Sequence, residues 1–259
     1  MTGRLERVLL GGAGVVAFLA VAEAAGRAGL VPEALPYMSD VLAEAARLPA
    51  EAAFRADVLA TLAACASGLA IAIGVAVPAG LLLGTVPVLE RSVRPLVEFL
   101  RPIPSVSLIP LAMFLFPAGQ DAKIALIVYT CSWPLLVNTL YGLGDVDPLA
   151  KETLRSFGFG PPAVALRVSL PSAAPFIATG VRIAVAVTLI VAVSVELLAP
   201  GAGGIGAFLS LAGSANRVDR MLAATLWAGA LGLGANLLFV TAERRLFRWH
   251  HARAGEGPG

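Results

Sequence analysis

The residues able to do chemistry in this 259-residue chain are few, and their placement excludes more than it builds. Its two lysines are Lys123 and Lys151, and neither follows a glycine-rich loop or precedes Ser or Thr. The chain therefore carries no phosphate-cradling P-loop and is not expected to hydrolyse ATP. Both histidines, His250 and His251, fall beyond the last apolar run beside Arg248 and Trp249, where they read as interfacial tail residues. With no imidazole among the apolar segments, a Ser–His hydrolase is disfavoured and a metal site is hard to assemble. Cys65 and Cys131 lie inside apolar runs and read as packing residues rather than a disulfide or metal ligands. No catalytic residue and no metal ligand is assigned.

What remains is ionisable or polar side chains inside apolar segments. Glu196 stands near the outer end of one run and Arg182 about two turns in from its other end. An intramembrane charge is a functional candidate by default, although either side chain could instead reach an interface. Asn138 reads as an interhelical hydrogen bonder. If a pathway exists, irregular backbone with small polar side chains should line it. Ser105 and Ser107, between Pro102 and Pro110, are the first candidates, followed by Asn138, Thr188, Ser194 and Glu196.

The elements that must position these groups are set by composition. With 58% hydrophobic and 14% charged residues and a mean hydropathy of +0.84, the chain reads as an all-α polytopic membrane protein. A net charge of +2 without a basic patch gives no reason to expect nucleic acid, and membrane lipid is the expected surroundings. Crossing roughly 30 Å of hydrocarbon takes about 20 apolar residues. Val8–Ala25, Val58–Leu83, Ile124–Leu143, Pro175–Leu198 and Met221–Thr241 qualify, and the shorter, proline-interrupted Ser105–Phe116 makes a third span of six. The first run lacks a convincing small-residue cleavage site and is read as a retained span.

Orientation follows from the basic residues. With the N-terminus inside, Arg4, Arg7, Arg91, Arg94, Arg101, Lys151, Arg155, Arg167, Arg182, Arg244, Arg245, Arg248 and Arg253 are inner. Only Arg27, Arg47, Arg55, Lys123, Arg217 and Arg220 are outer, so both termini are expected in the cytoplasm. Outside, Ser39 is expected to cap a short amphipathic surface helix carrying Val41, Leu42 and Ala45 on one face. Gly203–Leu211 is expected either to dip into the membrane or to lie flat on it. Gly80 and Gly84, and Gly229, Gly232 and Gly234, are candidate close helix crossings. Three regions result: 1–56, a first span and outer loop; 57–245, the transmembrane domain; and 246–259, a disordered cytoplasmic tail.

One polar stretch interrupts the spans, KETLRSFGFGPPAVALRVSLP from Lys151 to Pro171. Asp147 and Pro148 are an N-cap and first helical residue. The helix should run through Lys151, Glu152 and Arg155 until Gly158 stops it in a left-handed C-cap. Gly160 and Pro161–Pro162 should start a second helix, Pro162 to Val168, ended by Pro171, with Pro175 opening the next span. Such a unit is stiff, as a force-transmitting contact requires; the alternative is a connecting loop with amphipathic helices resting on the bilayer.

At these residues the chain resembles the permease subunits of bacterial ABC importers. Their motif runs Glu-Ala-Ala, three residues, Gly, nine residues, an aliphatic, one residue, Leu-Pro. Glu152, Gly158, Val168, Leu170 and Pro171 stand at those spacings, with Thr153 and Leu154 replacing the alanines. RPIPSVSLIPLAMFLF, Arg101 to Phe116, is similar to the third-span signature of the nitrate/sulfonate/taurine branch. So are Lys123–Leu143 and Thr179–Leu198, while FPAG at Phe116–Gly119 departs from the usual Phe-Gly-x-Gly. The similarity covers about Asp57 to Arg245.

The resemblance implies a type I importer permease fold in which Phe159 to Val168 is a coupling helix docking on a separate ATPase. Glu152 and Gly158 would shape the preceding turn. Phe159, Pro161 and Leu166 would supply apolar contact, and Arg155 and Arg167 would meet acidic rims. It further implies two ATPase copies, a second permease chain in a homodimer, and an extracytoplasmic solute-binding protein in the bacterial inner membrane system. ATP and magnesium would be bound by the ATPase and no cofactor by this chain. The cargo would be a small anion such as a sulfonate, taurine or nitrate. The competing classes are an ion-coupled secondary transporter and a non-transporting scaffold or sensor subunit.

Overall fold

The computed structural model describes residues 2–32, 34–116, 118–199 and 201–246. The expected disordered tail, with His250 and His251, lies outside the described residues apart from Leu246 at the end of the last helix. Among the described residues the regular structure is helical: α1 (Thr2–Arg27), α2 (Met38–Arg47), α3 (Ala52–Thr85), α4 (Pro87–Leu100), α5 (Ile109–Leu115), α6 (Gly119–Gly144), α7 (Pro148–Ser156), α8 (Pro161–Val164), α9 (Leu170–Leu198), α10 (Ile205–Ser214) and α11 (Val218–Leu246). Five helices among the described residues are long and apolar enough to cross a membrane, or six if a bent pair counts as one.

α6 is the centre of the bundle and packs along both α3 and α9. Glycine makes those crossings close. A Cβ at Gly68 would stand 2.5 Å from Ile127, at Gly80 2.8 Å from Thr139 and at Gly84 2.4 Å from Leu143. On the other side of α6, Gly142 meets Phe176 and Ala173, and Gly180 meets the Pro134 carbonyl and Asn138. Lipid offers no hydrophobic drive between helices, so contact of this kind is what holds spans together. Gly80 and Gly84 were expected at a crossing. Gly232 faces Leu189, but Gly229 and Gly234 meet nothing within 4 Å. The main apolar core joins α3, α5, α6 and α9; a second, around Val41, Leu48, Phe54, Ile205 and Leu209, ties α2 to α10 and α11.

The structure corrects several expectations. Ser105–Phe116 is not a span by itself: its helix α5 has only 7 residues, and the segment Ser105–Leu115 is apolar and long enough to cross only together with α4, to which it stands bent by 86°. Pro102 and Pro104 break the helical hydrogen-bond ladder there. The Leu100 carbonyl, which Pro104 has no amide to meet, accepts the Ile103 amide at 3.2 Å and the Tyr129 hydroxyl of α6 at 2.7 Å. Pro171 does not end the short helix, nor does Pro175 open the next span. α8 passes through one π-turn, Ala165–Ser169, into α9, giving a helix continuous from Pro161 to Leu198. Pro171 sits in the first turn of α9, where the wider π-turn has already released the bond its nitrogen cannot make.

At the opposite end, Ser39 is not a cap. Tyr37 holds that position, and the amide and hydroxyl of Ser39 both donate to Glu23 of α1 at 3.0 Å. α2 packs on protein rather than on lipid: Trp227 Nε1 donates to the Ala45 carbonyl at 2.8 Å and Arg220 pairs with Glu44 and Glu51. Of the residues expected on its apolar face, Val41 is buried and Leu42 exposed. α10 is seated inside the bundle against α9, α11 and α3, not flat on its surface.

Candidate coupling surface and pathway

α7 forms for the reasons legible in sequence. Asp147 Oδ1 accepts the Leu149 amide at 2.8 Å, with Pro148 in the first turn. Gly158 takes φ +82°, and the Gly158 and Phe159 amides return to the Arg155 and Leu154 carbonyls. A side chain at Gly158 would be strained in that left-handed conformation. The chain then turns into α8, which packs against α7. Lys151 fastens α7 to the end of α6 by donating to the Leu143 carbonyl at 3.3 Å.

This end of the molecule presents apolar groups to the surroundings. Leu149, Phe157 and Leu166 are exposed at 67%, 77% and 65%, beside a partly exposed Phe159. Val164 and Ser169 are buried and hold the turn to the bundle. Glu152, Arg155 and Pro171 are exposed, whereas Val168 and Leu170 are half-buried. Arg167 lies over the Phe159 ring at 4.7 Å, so it braces an aromatic contact as well as offering charge. Phe157 and Leu149 were missed in the sequence reading. The signal was Leu149 in the first turn of α7 and Phe157 just past its end, large apolar residues flanking Lys151, Glu152 and Arg155.

The expected pathway residues do not converge. Ser105 and Ser107 occupy the 3₁₀ turn Ser105–Leu108 at the broken span, half-buried and exposed respectively. Asn138 bonds within its own helix, to the Pro134 carbonyl at 2.8 Å, rather than across helices. It borders a cleft lined by Tyr141, Asp145, Phe176 and Thr179, next to another between α4 and α6 that includes Arg94, Glu98 and Tyr141. Thr188 is buried, with its hydroxyl on the Ala184 carbonyl and 3.0 Å from Cys131 Sγ. Ser194 bonds the Ile190 carbonyl of its own helix. Arg182 is exposed on α9.

Glu196 is the largest departure. Read as a charge near an interface, it is buried and paired with Lys123, Nζ to Oε1 at 2.7 Å, neither side chain being exposed. Lys123 had been counted as an outer-loop charge; it is the second residue this network needed and sequence reasoning missed. Among the described residues no group of three or more His, Cys, Asp or Glu is placed to hold a metal ion.

The family described as binding-protein-dependent transport system inner membrane component matches residues 76–248. The chain belongs to this family. The bicarbonate transport system permease protein CmpB of Synechocystis sp. is 31% identical over 68% of this chain and 62% of its own length. The nitrate import permease protein NrtB of Leptolyngbya laminosa is 28% identical over 70% of this chain and 65% of its own length. The chain thus spans less than two thirds of either relative. A chain of the MetNI methionine ABC transporter, in inward-facing conformations, superposes with a TM-score of 0.58 over 73% of this chain and 95% of that one, at 17% identity. That likeness bears on the fold, which is that of an ABC importer permease. Family membership also makes this a multi-pass membrane protein and a non-catalytic membrane subunit.

Proposed function

We propose that the chain is the permease subunit of an ATP-driven importer, one half of a pore completed by a second copy. Its α7–α8 end docks on a separate ATPase, two copies per pore, which binds ATP and magnesium. A binding protein delivers solute to the opposite end. The observation that carries this reading is the exposed Leu149–Phe157–Phe159–Leu166 surface on a turn continuous with α9. Apolar side chains on a polar, capped turn outside the spans want a protein partner, and a helix running unbroken into the bundle can transmit what that partner does.

ATP closing the two ATPase subunits would move both docking turns and, through α9, the walls of the pore. Glu152 and Gly158 shape the turn, Phe157, Phe159 and Leu166 fill the cleft, and Arg155 and Arg167 meet acidic groups at its rim. The docking end is cytoplasmic, with both termini, in a bacterial inner membrane. Removing the buried Lys123 from the loop charges leaves thirteen basic residues inside against five outside, which sharpens that orientation.

The cargo is a small anion, of the nitrate, bicarbonate or sulfonate kind, consistent with the relatives' names. An ion-coupled transporter fits less well, because Glu196 is fully engaged by its donors and so is poorly placed to carry an ion. The test is uptake into proteoliposomes holding permease, ATPase and enclosed ATP, with binding protein outside and labelled nitrate, bicarbonate or taurine offered in turn. ATP-dependent accumulation of one anion supports the reading; accumulation driven by a pH or sodium gradient without ATP contradicts it.

A further inference from the structure

The Lys123–Glu196 pair lies at the opposite end of α9 from the α7–α8 turn, and both carboxylate oxygens and the ammonium are engaged. Glu196 accepts from Lys123 Nζ at 2.7 Å, from Thr61 Oγ1 at 2.9 and 3.0 Å, and from the Gly206 amide at 3.0 Å. Lys123 spends its other donors on the Ala202 and Gly203 carbonyls at 3.1 and 3.0 Å. Thr61 Oγ1 accepts the Ile205 amide at 3.0 Å, and Asp57 Oδ1 the Gly204 amide at 3.1 Å. The amides opening α10 are therefore received by side chains of α3 and α9, while α6 holds the carbonyls just before them.

The seat leaves no slack. A Cβ at Gly204 would lie 2.3 Å from the Glu196 carboxylate, and one at Gly206 2.4 Å from the Val193 carbonyl. An inward-facing helix N-terminus in a membrane is a place where anionic substrates can bind. Here the chain's own carboxylate fills it and Lys123 cancels the charge, so α10 is anchored rather than open to cargo. A buried ion pair is poor value as stability, since apolar side chains of similar volume often serve as well or better; what it provides is one fixed geometry. α10 has 10 residues, too few to cross the bilayer, so the anchor and not the membrane sets its place.

Glu196 also lies at the far end of the helix that begins at the docking turn, Pro161–Leu198. Motion of the docking turn would travel along α9 to a residue that grips α3, α6 and α10 together. We propose that Lys123 and Glu196 are positioning residues for transport, seating α10 so that the outer ends of α3, α6, α9 and α10 move as one block when the ATPase acts. This rests on the importer reading.

The test uses permease and ATPase reconstituted together with binding protein, comparing wild type with K123M/E196M, which removes both charges at similar volume. Amide hydrogen exchange over 203–212 should speed up in the variant. Its ATP hydrolysis should persist while solute taken up per ATP falls at least about fivefold, the low end of ordinary allosteric coupling. A folded double variant with wild-type uptake per ATP would overturn the proposal and leave the pair a packing feature. Should that variant fail to fold, T61V removes one bridge only: a smaller loss of uptake per ATP supports the proposal, and unchanged uptake per ATP overturns it. No ATP-driven uptake by wild type would overturn the importer reading and this inference with it, whereas loss confined to the variants bears on the inference alone.

Discussion

The guanidinium of Arg167 lies 4.7 Å from the centre of the Phe159 ring, joining the turn after α7 to the π-turn before α9. This contact holds a partly exposed aromatic in one pose on the surface proposed to dock the ATPase. An exposed cation–π contact is worth about 0.5–1 kcal/mol. Arg167→Gln should therefore weaken ATPase capture several-fold, read by titrating detergent-solubilised permease with ATPase, and lower thermal stability by no more than this one contact is worth. Equal loss of both would mean that Arg167 supports the bundle and not the contact.

Gly158→Val should act on the same surface through the backbone. A β-branched residue forced to φ +82° costs about 1–2 kcal/mol, and no neighbour lies within 4 Å to compensate or clash. The turn should reopen, lowering uptake per ATP while the protein remains inserted. Asparagine, which tolerates that conformation better, should be milder. If valine and asparagine behave alike, backbone geometry at Gly158 is not what matters.

Single substitutions in the buried pair should be worse than the double. Lys123→Met or Glu196→Met leaves one charge without its partner, at a cost of about 3–5 kcal/mol, whereas removing both can be near neutral. Melting of the detergent-solubilised protein, compared across the two singles and the double, gives the coupling directly. Additive losses would show that the two side chains do not act as a pair.

Gly68→Ile should separate α3 from α6, because its Cβ would already stand 2.5 Å from Ile127. Overpacking of a tight core costs typically about 1–3 kcal/mol, seen as lower melting. Ile127→Ala in the same chain should recover part of the loss by making room. Gly229→Ile, facing open space, should cost only helix packing against whatever surrounds α11 and serves as the control.

Trp227→Phe should loosen α2 from α11 by removing the 2.8 Å bond to the Ala45 carbonyl while keeping the ring contact with Phe54. Losing one such bond costs roughly 1–3 kcal/mol when the carbonyl stays buried. Limited proteolysis should then cut nearer α2 first. Unchanged cleavage would show that Arg220, Glu44 and Glu51 hold α2 without help.

The spans and the backbone of the α7–α8 turn were legible because their signals are local. A run of apolar residues reports its own solvent, and Asp147–Pro148 and Gly158 report their own backbone. Lys123, Glu196, Thr61 and Gly204 were not legible as a set, being far apart in sequence and joined only once the helices are packed. Lys123 in particular looks like a loop charge until α9 brings Glu196 beside it. Pro171 and Pro175 misled for the opposite reason: proline is a local helix breaker in water, but a π-turn and neighbouring helices absorb it in this bundle. Asn138 likewise turned inward to its own helix, a choice that periodicity does not encode.

The central claim is that the α7–α8 turn is the site where an ATPase subunit docks. It is tested most directly by co-purifying tagged ATPase with wild-type permease and with F157D/L166D, whose side chains are exposed and support no packing that a charge should disturb. We expect wild type to retain the ATPase and the variant, inserted and melting normally, to lose it. Retention of the ATPase by the variant in wild-type amounts would contradict the claim.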